Sequence, residues 1–499
     1  MRKRLSCKHI YFPVLGASLV AAIFWMLSCS GGTSSMGGGG SQSTGTVTTG
    51  ISDPPTCTPP NGSFEHVWVT IIKVEANISS SAGPNDSGWV TLVDLTSAPK
   101  QIDLLSLAST TCLLTQLGSS TGLTPGSYQQ IRIILLSNSP ASGQATPSPN
   151  ACGSGSYNCV QIGGGVALTR ILPLNLSSEA QTGIKIPPGQ ITGGAIQLQA
   201  GQSADINITF NACASIVQEG NGQVRLIPTL HAGEVAVNNN SISGTVVDSA
   251  TSKPVPDALV FLEQPDSNGV DRVFTSGMTD STGSFIFCPL PSGKYDVVVA
   301  ASVISGGVTT TYNATLTSSV PLGTALTKIP LVAENGSSST TLPATITGQV
   351  TSSNTSNAGT AADVQLSALQ QVTISGQSTL QITTPVFGGS PSNVQPAFSS
   401  FTPNVETANG SGCPTGTACA SYTLLVPASN PEVGVWSSSG TSYSPPSPSN
   451  VNYTINGEAF VPSSGGTPDC NPSSATTRSF TVSLTTPTTA PTLPFTGCQ

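Results

Sequence analysis

Ala204-Asp205-Ile206-Asn207-Ile208-Thr209-Phe210 alternates apolar and polar residues without a break. Successive side chains of a β-strand point to opposite faces, so Ile206, Ile208 and Phe210 share one face and Asp205, Asn207 and Thr209 the other. The stretch predicts a strand with one side on a core and one side polar. It lies in a chain of 499 residues with 52 Gly and 39 Pro, a composition of short strands and many turns.

The same signature recurs on either side. Upstream, His66-Val67-Trp68-Val69-Thr70-Ile71-Ile72-Lys73-Val74-Glu75 is a β-branched run whose Ile71-Ile72 pair marks a register break. Trp89–Leu92, Ile102–Leu105 and Tyr128–Leu136 follow, then Ile196–Leu198 and Val224–Pro228. Helical periodicity is weak, with room only for a turn within 104–117 or 212–217. A second group comprises Ile242–Asp248, Pro254–Leu262, Thr279–Phe287 and Leu290–Val299, with Asp, Asn or Ser close before Gly at several junctions. Asn268-Gly269 reads as a hairpin apex rather than part of a calcium loop, because Asp266–Asp271 lacks the Gly and distal Glu register of an EF-hand. A third group opens at Thr345–Val350, repeating the Ile-x-Gly-x-Val of residues 242–246. It continues through Val372–Ile374, Thr379–Ile382, Tyr422–Val426 and Phe480–Leu484, between Ser/Pro/Gly loops such as Ser442–Ser449. The predicted fold class is all-β, a series of β-sandwich domains.

The N-terminus predicts where the chain is sent. Arg2, Lys3, Arg4 and Lys8 precede an uncharged, mostly apolar run from Ile10 to Leu27, which reads as an export signal. Met26-Leu27-Ser28-Cys29 resembles the lipobox of bacterial lipoproteins. That resemblance implies cleavage before Cys29, lipidation of Cys29 and a membrane partner reached through the lipid. Ser30 in place of an Asp implies the outer membrane or cell surface over the inner membrane. The expected organisation is a lipoprotein signal peptide over 1–28, a flexible Gly/Ser-rich tether over 29–60 and β domains over 61–237, 240–334 and 344–499.

Two of these domains resemble known families. Val69-Thr70-Ile71, Lys73-Val74-Glu75, Gly88–Leu92, Ile102–Leu105, Pro125–Arg132, Gln181–Pro187, Ser215–Val217 and Leu226–Pro228 come in the order seen in the bacterial lipoprotein domain of unknown function 4382. Where such domains often read Asp-Phe-Asp-Ala, this chain has Thr209-Phe210-Asn211-Ala212. Ile242–Asp248, Pro254–Leu262, Thr279–Phe287 and Leu290–Val299 resemble the carboxypeptidase regulatory-like domain, a transthyretin-like sandwich related to Cna-B and starch-binding-like modules. Cna-B relatives can carry an isopeptide bond from a first-strand Lys. Ser241–Val247 has none, so no such bond is expected.

Charge excludes some partners. Of 15 Lys and Arg, four leave with the signal, so 11 face 23 Asp and Glu, a net charge of about −12. This lacks the basic footprint of a nucleic-acid binder. Ten cysteines remain beside Cys7 and Cys29: Cys57, Cys112, Cys152, Cys159, Cys213, Cys288, Cys413, Cys419, Cys470 and Cys498. An even number in an exported chain points to disulfides, and the spacings lack the tight clusters of zinc sites. Cys152 with Cys159 and Cys413 with Cys419 bracket short loops suited to local bridges.

No catalytic constellation is legible, and no cofactor or metal is expected. His66 and His231 are the histidines of the exported chain, and each sits in or beside a β run. No Gly-x-Ser-x-Gly elbow precedes a helix, and no His-Glu-x-x-His stands out. Glu65, Glu75, Asp94, Asp103, Asp205 and Glu219 are carboxylates available for glycosidase-type pairs, but nothing in the sequence brings two together. Trp436 and Tyr443 flank a polar loop and form the candidate ligand platform. The expected role is therefore non-enzymatic: lipid-anchored β modules presented to a glycan or an envelope protein partner. A carbohydrate-binding surface protein is the alternative, and an envelope hydrolase using paired carboxylates is a third reading.

Overall fold

The computed structural model describes residues 44–498 apart from 54–63, 108–113, 165–166, 177–182, 220–222, 227–229, 236–240, 267, 306–307, 335–342, 375–378, 388–393, 396–403, 446–449, 461–468 and 484–485. The signal peptide, Cys29, Cys57, Cys112 and the side chain of Cys213 lie outside the described residues. What is described is all-β, with one helical turn, Ala212–Ser215, and two 3-10 turns between Pro188 and Gly194.

The alternating strand Ser203–Phe210 lies in a four-stranded sheet ordered Leu230–Glu234, Ser203–Phe210, Gly45–Ser52, Thr115–Leu123. Ile206, Ile208 and Phe210 are buried as expected. The opposite face departs from the expectation, because Asn207 and Thr209 are buried as well. Asn207 satisfies its amide on the Ser52 hydroxyl (2.7 Å) and on the Pro289 carbonyl (3.4 Å), so a second unit of the chain covers this face. The 29–60 tether also needs correction at its C-terminal end. Gly45–Ser52 is a strand, parallel to Ser203–Phe210 and antiparallel to Thr115–Leu123. Its Val47, Thr49 and Ile51 are buried, so the Thr-rich composition reflects β-branching rather than flexibility.

The larger sheet of this first unit is built around the long strand Phe64–Asn77, which pairs with Val90–Asp94, Lys100–Asp103, Gln130–Leu135 and Cys159–Gly164. Its register slips between Ile71 and Lys73, the break that the double isoleucine predicts. Glu75 on this strand is tied to the Arg132 guanidinium at 2.6 Å, and that guanidinium lies 4.0 Å over the Trp89 ring. The stack and the pairing together offset the cost of burying the two charges.

The middle unit is a sandwich. A three-stranded sheet, Ser284–Phe287, Ile242–Asp248, Thr324–Leu331, faces a larger one ordered Asp271–Met278, Leu259–Pro265, Lys294–Ala300, Thr315–Pro321. Val260, Leu262, Phe285, Phe287 and Ile329 form the core between them. The hairpin at Asn268-Gly269 is present. Asp266 Oδ1 accepts the backbone N–H of Asn268 (2.7 Å) and Val270 (3.0 Å), and Gly269 takes φ +76°, which favours glycine. The third unit packs a sheet carrying Ala344–Ser352 and Ala418–Val426 against one carrying Asp363–Thr373 and Asn452–Phe460, around Ile346, Leu366, Tyr453 and Phe495.

These units are not independent. Glu432–Val435, inside the third segment, runs parallel to Thr315–Pro321 and extends the middle unit's larger sheet, followed by Tyr443–Ser444. Val394–Gln395 pairs with Ile216–Glu219 of the first unit. Arg225 and Glu406 join the first and third units at 2.5 Å. One apolar cluster runs through all three: Ile208 and Phe210, then Phe261, Val298 and Leu316, then Val372 and Ile382.

Gly233 shows how closely the first and middle units meet. A Cβ there would lie 2.4 Å from Pro291 Cγ. Gly233→Val is expected to cost about 1–3 kcal/mol through overpacking, read as a lower urea midpoint. Gly126→Ala, whose methyl meets nothing closer than 3.7 Å, is expected to stay within about 0.5 kcal/mol.

Candidate functional site

The two described histidines have opposite surroundings. His66 is exposed at its ring, which sits 2.6 Å from Asp103 Oδ2 through Nδ1 and stacks on Trp68. Asp103 is buried and also accepts the Val67 N–H at 3.2 Å. The nearby Ser106 hydroxyl donates to the Asp103 backbone carbonyl (2.7 Å), so it is turned away from use as a nucleophile on this imidazole. The pair fastens strand Lys100–Asp103 to Phe64–Asn77.

His231 lies at the junction of the first and middle units. It is 9% exposed and packs on Phe274 with ring centroids 5.2 Å apart. Burial lowers its imidazole to about 4, so it is neutral at physiological pH. It lines a cleft of about 500 Å³. One wall is the turn segment Pro188–Gly194 of the first unit, and the other is Gln264, Asp266, Arg272, Phe274 and Lys294 of the middle unit. Thr192 Oγ1 donates to Gln264 Oε1 at 3.3 Å across the cleft. A narrower extension of about 160 Å³ reaches Asn211, Ser276, Thr383 and Glu458, so all three units contribute. Asn211, which stands where related domains often have Asp, donates to the Ser276 hydroxyl at 2.7 Å and so joins the first and middle units.

Beside this extension a group of acids is buried. Glu263 and Asp296 are paired across adjacent strands, and Asp271 is paired with Pro265 on the other side. Glu263 accepts the Thr383 N–H of the third unit at 3.1 Å, and the Thr383 hydroxyl donates to the Asp271 carbonyl at 2.8 Å. Burial first, and the neighbouring Asp271 second, push the Glu263 carboxyl well above its usual range. Burial, reinforced by Asp296, pushes Asp271 up to about 8. Asp296, raised by burial, is hydrogen-bonded to Asp271 and accepts the Ser319 N–H at 2.6 Å. Such acids cannot all ionise together, so the group holds protons at neutral pH. A separate acid, Glu334, is raised to about 7 by burial and accepts the Ala428 N–H of the third unit.

The residues predicted from sequence are scattered over the structure. Trp436 and Tyr443 each pack half-buried against the core of the middle unit, where Tyr443 shares a 2.8 Å hydrogen bond with Thr317. Glu75 is held by Arg132 and Asp103 by His66, Asp94 caps Thr96 (2.9 Å), and Glu65 meets Gln161 (3.2 Å). Asp205 is exposed, and the side chain of Glu219 lies outside the described residues. None of these carboxylates lines the cleft. Cys152–Cys159, Cys413–Cys419 and Cys470–Cys498 are bonded, and Cys288 is in a disulfide. Among the described residues no group of three His, Cys, Asp or Glu is arranged to hold a metal ion.

Family comparison finds two matches in this part of the chain. Residues 44–228 match DUF4382, a domain of unknown function. Residues 241–327 match the carboxypeptidase regulatory-like domain, so the two stand in that order along the chain. The DUF4382 match begins at the buried strand Gly45–Ser52, in line with the corrected tether. No curated protein matches the chain. Among solved structures, similarity is found to the Bacillus anthracis TIE protein (10% identity, TM-score 0.15, 91% of this chain), of whose length the chain spans 50%. It is also found to shaft pilin SpaA from Lactobacillus rhamnosus GG (8%, TM-score 0.18, 59% of this chain and 99% of that one). A DUF3823 family protein from Bacteroides uniformis is similar over 48% of this chain and 97% of its own (13%, TM-score 0.15). Scores this low carry no functional argument.

The buried acids give the junction a pH dependence. Their folded-state pKa values are raised, so the stability they contribute is complete below the ordinary carboxylate range near pH 4 and is lost at higher pH, for Asp271 as pH rises through about 8. His231 acts in the opposite sense. Its contribution is present above about 6.5 and is lost as pH falls toward 4. The melting temperature of the mature chain is expected to fall between pH 6.5 and 9 in calorimetry. Asp271→Asn should flatten that fall and leave the acid limb in place.

Proposed function

We propose that this chain is a non-catalytic, lipid-anchored extracytoplasmic protein whose DUF4382 and regulatory-like units are held out from the cell envelope to meet a ligand or partner. The observation that carries the reading is the donation of strands from the third unit to both of the others. Glu432–Val435 completes a sheet of the regulatory-like unit, and Val394–Gln395 completes one of the DUF4382 unit. Units joined through sheet hydrogen bonds and a shared apolar cluster keep a fixed mutual orientation, unlike beads on a linker. A rigid body is what a stalk or display module requires, whereas a hydrolase requires a nucleophile with an oriented base. The export signal, the lipobox-like Met26–Cys29 and the disulfides support an oxidising, extracytoplasmic setting.

Metabolic labelling with an alkyne fatty acid tests the anchor. The wild type is expected to be labelled and Cys29→Ser not, with protease added to intact cells removing the wild-type chain from their surface. Equal labelling of both proteins, or protection from protease in intact cells, overturns the reading.

A further inference from the structure

We propose that the cleft between the Pro188–Gly194 turns and the middle-unit hairpin is a binding site for an acidic glycan, a short uronate-type sugar whose carboxylate meets Lys294 and whose hydroxyls meet His231 and Gln190. The volume of about 500 Å³ falls within the range of small-ligand sites and suits one to three sugar rings.

Three features of the lining choose the ligand. First, His231 is nine-tenths buried, faces the cleft and makes no side-chain hydrogen bond among the described residues. A buried polar group without a partner carries a desolvation cost that a bound hydroxyl would relieve. Held neutral by its surroundings, the ring offers one donor and one acceptor, the pair of roles that a sugar hydroxyl also plays. Gln190 lines both the cleft and its extension and likewise has no side-chain hydrogen bond among the described residues.

Second, the charge is locally reversed. The chain is acidic throughout, yet Arg272 and Lys294 both reach this cleft. Arg272 is already engaged, with Nε 3.1 Å from Asp266 Oδ2 and Nη1 donating to Asn456 at 2.8 Å. Lys294 is exposed and forms no ion pair among the described residues, so it is the cation left for a ligand anion. Glu458, the other acid on the lining, is pushed toward its neutral form by burial. Third, the lining is mixed: Pro188, Ile191, Pro265 and Phe274 give it apolar surface on which the C–H face of a sugar ring packs, while hydrogen-bonding groups stand on both walls.

This site does not depend on the anchor. Binding is measured on the purified chain, so loss of Cys29 labelling and loss of binding fail separately. Calorimetric titration of the full mature chain in detergent, at pH 7 and low salt, is carried out with trigalacturonate, maltotriose and triglutamate. Only trigalacturonate is expected to bind. Its affinity should fall about tenfold or more in Lys294→Glu and in Gln190→Ala, two substitutions at positions outside the core whose folding is checked by unchanged melting. No binding, equal binding of maltotriose, tighter binding of triglutamate, or binding unaffected by Lys294→Glu each overturns the proposal.

Discussion

The structure turns on a sheet that is covered on both faces. In an ordinary two-layer sandwich one face of each sheet meets the core and the other meets water. In the regulatory-like unit, Val260 and Leu262 fill the internal core, while Leu259, Phe261 and Glu263, pointing the other way, are buried against the neighbouring units. Whatever those strands carry outward must then be satisfied without water. The apolar residues join a cluster that runs through all three units. The carboxylates keep protons and accept backbone N–H groups from Thr383 and Ser319. Two carboxylate oxygens of this group, Glu263 Oε1 and Asp271 Oδ2, find no partner among the described residues.

That coverage explains why the functional geometry lies at seams rather than within any one unit. A sandwich of about 90 residues has little concave surface of its own. Two sandwiches and a divergent β unit, locked by strands that the third segment lends to the other two, leave grooves where their edges cannot meet. Gly233 against Pro291 marks a point of tight contact, and the Pro188–Gly194 turns mark the place beside it where the surfaces part.

Much of this was legible in the sequence, and the reason it was legible also explains where reading failed. Period-two alternation in Ile206–Phe210, the double isoleucine at Ile71-Ile72 and the Asn268-Gly269 apex are local signals, and local physics fixes them. Gly45–Ser52 was hidden because Ser, Thr and Gly serve both linkers and strands. Only the partners Ser203–Phe210 and Thr115–Leu123, far away in sequence, make it a strand. The acids carried a usable clue. Glu263 shares parity with Leu259 and Phe261, and Asp296 with Val298 and Ala300, so each acid lies on the face of an apolar stripe. Parity alone leaves open whether that face is a core or a solvated side with scattered hydrophobes. His231 had no clue at all, since its burial comes from Phe274 on another unit.

The cleft and the buried acids are one physical system. Thr383 donates to Glu263 and to the Asp271 carbonyl and also forms part of the cleft's inner extension, while Asp266 and Arg272 line both spaces. Ionising the acid group weakens the seam that holds Thr383 in place, and so alters the wall that a ligand would touch. By linkage, a ligand that prefers the closed wall must raise the proton affinity of the acids by the same factor by which protonation raises its own affinity. Because the units are joined by sheet pairing rather than by a hinge, that coupling acts through a small shift of packed strands. Its size is set by how tightly Glu263 and Asp271 hold their protons when strand Thr379–Thr384 lies over them.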